Sequence, residues 1–173
     1  MGKDAMTNIS YGLYVLSSAY DGKQNACIVN TAVQVTSTPL RISVTVNKAN
    51  YTHELILKSK LFTVSLLDET APFSVFQHFG FQSGRDTEKI AGFPGIAYAE
   101  NGIAYLAEHT NSFIAASVVN TVDLGTHTLF IADVTETGNL SSMPSMTYSF
   151  YNANVKPKPQ KTEKKGWRCK VCG

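Results

Sequence analysis

Residues 25–36 read N-A-C-I-V-N-T-A-V-Q-V-T, a run without a single charge, built mostly from β-branched, small and amide side chains. Such a composition suits a strand better than a helix. Residues 9–20 have the same character and are separated from it by Asp21-Gly22, a two-residue hairpin signal. Residues 40–47, L-R-I-S-V-T-V-N, follow just after Pro39 and read as a third strand. Asn50 then offers a helix cap ahead of residues 51–58, where Tyr51, Leu55 and Lys58 fall on neighbouring turns. Further along, residues 61–67 read as a strand. Residues 72–79 read as a short helix with Pro72 in its first turn. The polar residues 83–90 read as a loop leading into one helical turn. Runs at 96–100 and 103–106 flank Asn101-Gly102, a second hairpin signal, and residues 111–124 and 126–136 make two longer strands. About eight strands against two or three short helices predict a mainly β fold, an antiparallel barrel or sandwich, with no internal repeat.

The 173 residues fit one domain plus a tail. With 43% hydrophobic and only 16% charged residues the chain has ample core material and a sparsely charged surface, part of which is expected to meet another subunit. No apolar run approaches the roughly 18 residues that cross a bilayer as a helix, and the N-terminus lacks the apolar stretch of a signal peptide, so no membrane partner and a cytoplasmic address are expected. Residues 152–173 hold six lysines, Arg168 and Glu163, a net +6, and the rest of the chain carries −4. The basic balance therefore belongs to the tail and gives no argument for nucleic acid. Within that tail, residues 156–166 contain two prolines and five lysines and read as a flexible, extended linker. The three cysteines suit free, metal-binding or redox groups rather than a disulfide framework.

No phosphate-binding glycine loop, G-x-S-x-G or H-E-x-x-H motif is present, which leaves polar clusters at strand ends as candidate sites. Asn30, Thr31, Ala32 and Gln34 sit within the strand reading of residues 25–36. They either hydrogen-bond the edge of a flat heterocycle or are the solvent-facing half of an ordinary strand. Asn47, Lys48, Asn50 and Thr52 flank a strand-to-helix junction, where backbone N–H groups and a lysine suit a phosphate, although a simple helix cap explains Asn50 and Thr52 too. Arg85 and Lys89, in S-G-R-D-T-E-K, could serve the same anion or form a charged surface loop. His127 sits at a tight strand entry, either structural or facing a ring to which it donates a hydrogen bond or proton. Cys27 reads as a small buried residue.

Together, N-A-C-I-V-N-T-A-V-Q-V-T-S-T-P from Asn25, V-N-K-A-N-Y-T-H-E-L-I from Val46, S-G-R-D-T-E-K from Ser83 and G-T-H-T-L-F-I-A-D-V from Gly125 closely resemble the flavin reductase-like family of FMN-binding split barrels, especially its flavoredoxin type. The resemblance covers residues 7–151 and implies a domain over residues 1–151, a split β-barrel with a few short helices. It also implies a homodimer holding FMN at or near the subunit interface, reduced by NADH or NADPH or by a protein donor. Carried over by residue, Asn30, Thr31, Ala32 and Gln34 would line the isoalloxazine, while Asn47, Lys48, Asn50 and Thr52 would hold the phosphate end. Lys89 would lie near the flavin, His127 would approach the ring as the catalytic group, and an aromatic among Tyr148, Phe150 and Tyr151, Tyr151 foremost, would cover it. Val35 stands where some relatives carry tryptophan.

After a Lys/Pro linker over residues 152–166, residues 167–173, W-R-C-K-V-C-G, resemble the first metal knuckle of rubredoxin. Cys169 and Cys172 supply two of the four thiolates an iron site of that kind needs, so iron is expected only with a complete rubredoxin domain. The resemblance implies a flavin reductase fused to a rubredoxin segment that is cut short. Electrons would pass from NAD(P)H through FMN to rubredoxin iron and on to an acceptor such as a flavodiiron protein. The alternative is an FMN-binding electron-transfer protein without direct NAD(P)H turnover.

Overall fold

The computed structural model describes residues 3–158. After a 3-10 turn at Lys3–Asn8 come β1 (Tyr14–Tyr20), β2 (Lys23–Val29), β3 (Val33–Ser37), β4 (Leu40–Asn47), α1 (Tyr51–Ser59) and β5 (Leu61–Leu67). They are followed by α2 (Phe73–Gly80), β6 (Ile96–Tyr98), β7 (Ala104–Leu106), β8 (Thr110–Asp123), β9 (His127–Asn139) and α3 (Tyr148–Phe150). A π-helical turn, Tyr151–Val155, continues α3 four residues beyond Tyr151, where the sequence reading ends the domain and begins the linker.

Seven strands form one antiparallel sheet in the order β2-β1-β5-β8-β9-β4-β3, and β6 pairs with β7. One apolar cluster draws buried side chains from six consecutive strands of that sheet: Cys27, Leu16, Phe62, Ala116, Phe130 and Val44 come from β2, β1, β5, β8, β9 and β4 in turn. Only a sheet curled around its own face brings six neighbouring strands to one cluster, and this is the barrel interior. Ile56 of α1 enters the same cluster. The outer face of β1 and β2, carrying Val15, Ala26 and Ile28, packs instead against Val75, Phe76 and Phe79 of α2 and against Met146 and Tyr151.

The sequence reads residues 25–36 as one strand; the structure breaks it at Asn30–Ala32. β2 is the edge beside β1 and β3 the edge beside β4, so a few residues carry the chain from one end of the sheet order to the other. Four residue steps reach at most about 14 Å, which forces the two edges together. Thr31 makes the turn possible: its hydroxyl donates to the Thr45 carbonyl at 2.8 Å and accepts from the Thr45 N–H at 3.2 Å, replacing a rung of β-ladder. Both sequence-predicted hairpin turns occur. Asp21 and Gly22 adopt φ of 52° and 72°, and Gly102 adopts 77° between β6 and β7. No helix among the described residues is long and apolar enough to cross a membrane.

Candidate functional site

β4 ends at Asn47, whose side-chain oxygen accepts from the Ala49 N–H at 2.9 Å while its carbonyl accepts from Asn50 N–H at 3.0 Å. This double turn reverses the chain into α1. Asn50 occupies the N-cap position with extended φ and ψ of −74° and 133°, yet its side chain makes no capping bond. An α-helix leaves its first N–H groups without intrahelical partners, and here the cap side chain does not take them up. Lys48 lies alongside, 2.7 Å from Asp123 Oδ1, in a pair open to solvent on both sides.

β9 begins beside this turn. His127 is the register partner of Asn47, and the Lys48 N–H donates to Thr126 O at 3.0 Å. The imidazole Nδ1 is 2.8 Å from Thr126 Oγ1, and the ring is half-buried. His127, Asn47, Lys48 and the start of α1 therefore share one rim of the barrel.

Below that rim lies a buried polar knot. Thr52 is fully buried, and its hydroxyl accepts from Asn25 Nδ2 at 2.9 Å. It is therefore turned inward, and what Thr52 presents outward at the helix start is backbone. The Cys27 thiol is pushed up by burial, against hydrogen bonds from Thr52 and Asn50 and the charge of Lys89, which pull the other way. Lys89 is itself buried, and its ammonium donates to Ala26 O at 3.2 Å and Phe79 O at 3.0 Å, tying β2 to the end of α2. Burial holds its pKa below the usual lysine value, with Cys27 opposing. The loop between α2 and Lys89 lies over the knot: Gly84 sits so close to Asn25 that a Cβ there would collide with the carboxamide. Arg85 reaches α1 from outside, with Nη1 3.1 Å from Glu54 Oε2 and its guanidinium 5.0 Å from the Tyr51 ring centre.

Ala32 and Gln34 are placed elsewhere, at the barrel mouth on the β3 side. They line an open, mostly apolar cavity of about 380 Å³ with Tyr14, Ile42, Val64 and Ile114. Gln34 donates back to Thr36 O at 3.3 Å. Tyr151 is buried in the outer core cluster, its ring 4.4 Å from that of Phe76, so its side chain is taken up by packing within the chain. Cys169 and Cys172 lie outside the described residues, and among those described no three ligating side chains gather into a metal site.

Two buried residues beneath the rim were not singled out by sequence, Asn25 and His53. His53 is buried with Nε2 2.8 Å from Thr128 Oγ1. Its position on α1 one residue after Thr52, within Y-T-H-E-L, was the available signal, since a polar residue on the inward side of a short amphipathic helix needs a buried partner.

Among curated proteins, the chain is 40% identical over 152 residues to the high molecular weight rubredoxin of Moorella thermoacetica, covering 88% of this chain and 66% of that protein, just under two thirds of its length. It is 35% identical over 164 residues to the ferric-chelate reductase (NAD(P)H) of Archaeoglobus fulgidus, with 94% and 95% covered. Among solved structures, the NADH:FAD oxidoreductase of Streptomyces globisporus superposes with a TM-score of 0.72 at 17% identity, over 84% of this chain and 86% of that one. The flavoredoxin of Methanosarcina acetivorans superposes with a TM-score of 0.64 at 22% identity, over 75% and 69%. These likenesses carry the split-barrel fold. Residues 6–158 match the family described as the Flavin reductase like domain, and the chain belongs to that family.

Proposed function

We propose that the chain is an FMN-dependent oxidoreductase that takes electrons from NADH or NADPH and passes them to an external acceptor. The observation that carries this reading is the rim itself, where the uncapped start of α1, Lys48 and His127 converge in a chain related to a ferric-chelate reductase (NAD(P)H). A phosphate monoester fits there. Backbone donors and the positive end of the helix dipole favour an anion, and Lys48 is paired with a solvent-open carboxylate that a phosphate can replace. When bound, the flavin supplies the redox chemistry, and the protein supplies binding, orientation and electrostatics.

In this reading Asn47, Lys48 and the first-turn N–H groups of α1 hold the phosphate end, with Asn50 and Thr52 shaping the turn from beneath. Asn30 and Thr31 shape the ring end, and Ala32 and Gln34 offer the barrel mouth to the second substrate. His127 donates a hydrogen bond toward the ring and sets where the nicotinamide docks. Lys89 supports the floor of the site. Val119 and Val122 toward the end of β8, Leu124 in the β8–β9 turn, and Val33 and Val35 on β3 are exposed apolar residues, which favours a homodimer whose second copy covers them. The relative named as a high molecular weight rubredoxin supports rubredoxin-type iron as the next acceptor, with Cys169 and Cys172 in its first knuckle and a flavodiiron-type protein beyond. The test is the visible spectrum of the purified protein before and after NADH. Flavin bands that bleach support the reading; a flavin that only a protein donor reduces would leave an electron carrier, and a colourless protein that takes up no FMN would reject both.

A further inference from the structure

We propose that His53 is a positioning residue, whose buried hydrogen bond to Thr128 fixes the start of β9 and so holds His127 against the first turn of α1. The catalytic half of this inference rests on the function proposed above; the structural half does not.

β8 pairs with β5 only as far as Ser117, opposite Leu61. Beyond it the tip of the β8–β9 hairpin has no strand neighbour from β5 and is held from the other side. Val46 and Asn47 of β4 pair with Thr128 and His127, and Lys48 donates its N–H to Thr126 O. Two side-chain links add to these. Lys48–Asp123 is solvent-open and easily exchanged, while His53–Thr128 joins a 5% exposed imidazole to a 6% exposed threonine at 2.8 Å. The His53 ring also meets Phe130 edge-on, with centres 5.5 Å apart, so its plane is fixed by the barrel core. Burying two polar side chains where an apolar pair would fill the space costs desolvation, and what the pair gains is a direction. That direction runs from the helix that would hold the phosphate to the residue next to His127. Lys48 from the β4–α1 turn, Glu54 from α1, Asp123 from β8 and His127 from β9 all face the imidazole electrostatically.

The variants are Thr128→Val, which keeps the β-branched shape without the hydroxyl, and His53→Gln, whose amide still reaches it. The readout independent of flavin is amide hydrogen exchange. Thr128→Val should speed exchange at residues 127 and 129 by about tenfold while β1 and β5 stay protected, and His53→Gln should stay near the parent. In the FMN-loaded protein, Thr128→Val should slow reduction by NADH, and the double variant Thr128→Val/His127→Ala should be no slower than His127→Ala alone, because both changes act through one residue. Unchanged exchange in Thr128→Val, or losses that multiply in the double variant, would overturn the proposal. A parent protein that NADH does not reduce would reject the proposed function instead, and the exchange result would still decide whether the link holds β9.

Discussion

Asn47 and His127 are register partners on the terminal rung where β4 and β9 meet, with Asn47 leading into α1 and His127 emerging from the β8–β9 turn. In the proposed site this rung gathers two kinds of group that would serve a flavin. One side leads to helix N–H groups and a lysine, which suit a phosphate; the other carries an imidazole whose exposed edge can act on a ring. Because ladder hydrogen bonds set the register, neither residue can shift without the other.

Lys48 is held at this rim by Asp123, whose carboxyl is kept below its usual pKa by the Lys48 hydrogen bond and by the Gly125 N–H. In the proposed site, a phosphate would compete with Asp123 for Lys48. Asp123→Asn keeps an oxygen for Gly125 and releases the lysine, so it should tighten FMN binding several-fold, while Lys48→Ala should weaken it about tenfold or more. Both are read by flavin fluorescence titration, and the gap between them should narrow in high salt. Equal affinities for parent and both variants would move the phosphate elsewhere.

Gly84 is a glycine for reasons of space, since a side chain there meets Asn25, the donor to Thr52 beneath α1. Gly84→Ala should cost about 1–3 kcal/mol, as overpacking does in a tight interior, and should lower the urea midpoint with the slope unchanged. Because the displaced Asn25 supports the start of α1, FMN binding should weaken as well. An alanine variant as stable as the parent would mean that the loop simply lifts away.

Much of this architecture is legible in the sequence because it is local. Asp21-Gly22 and Asn101-Gly102 announce their turns, and the alternation in Leu40–Asn47 announces a strand with one face inward. What escapes is set by distant partners. The break at Thr31 depends on the backbone of Thr45, fourteen positions on, and nothing within residues 25–36 marks it. Lys89 reads as an anion ligand or as part of a charged surface loop, yet its hydrogen-bond partners are carbonyls of β2 and α2 that only the fold assembles. Thr52 reads as a phosphate donor, and its hydroxyl is turned in to Asn25; the resemblance offers Tyr151 as a flavin cover, and its ring packs on Phe76 within the chain. Asn47, Lys48 and His127 do come together on one rim, while the inward turn of Thr52 and the burial of Lys89 depend on partners distant in sequence, and the division of labour proposed among them is what the variants test.

Lys89 tests that division. Its ammonium is buried with no carboxylate partner among the described residues and satisfies two carbonyls, so Lys89→Met removes the charge and leaves both carbonyls without this donor. The expected loss is on the order of 3 kcal/mol, seen in urea or thermal unfolding of the flavin-free protein. If Lys89 instead acted mainly on the flavin, stability would hold while reduction slowed.

His53 supplies the last prediction, a pH dependence whose sign follows from burial. Desolvation first, and Lys48 second, hold the imidazole below its usual value of 6.5, with Asp123 and Glu54 opposing and His127 adding to the depression. In the unfolded chain the same group titrates near the ordinary value, so between the two pKa values the unfolded state binds more protons. Its contribution is therefore fully present above pH 6.5 and is lost as pH falls through the depressed folded value. Unfolding midpoints measured from pH 8 down to 5 should fall for the parent below about 6.5 and fall less for His53→Gln, which has no proton to bind. Carboxylates titrate in both proteins, so the difference between the two curves isolates the imidazole. Parallel curves across the whole range would show that His53 keeps its ordinary pKa and that the Thr128 bond tolerates the charged ring.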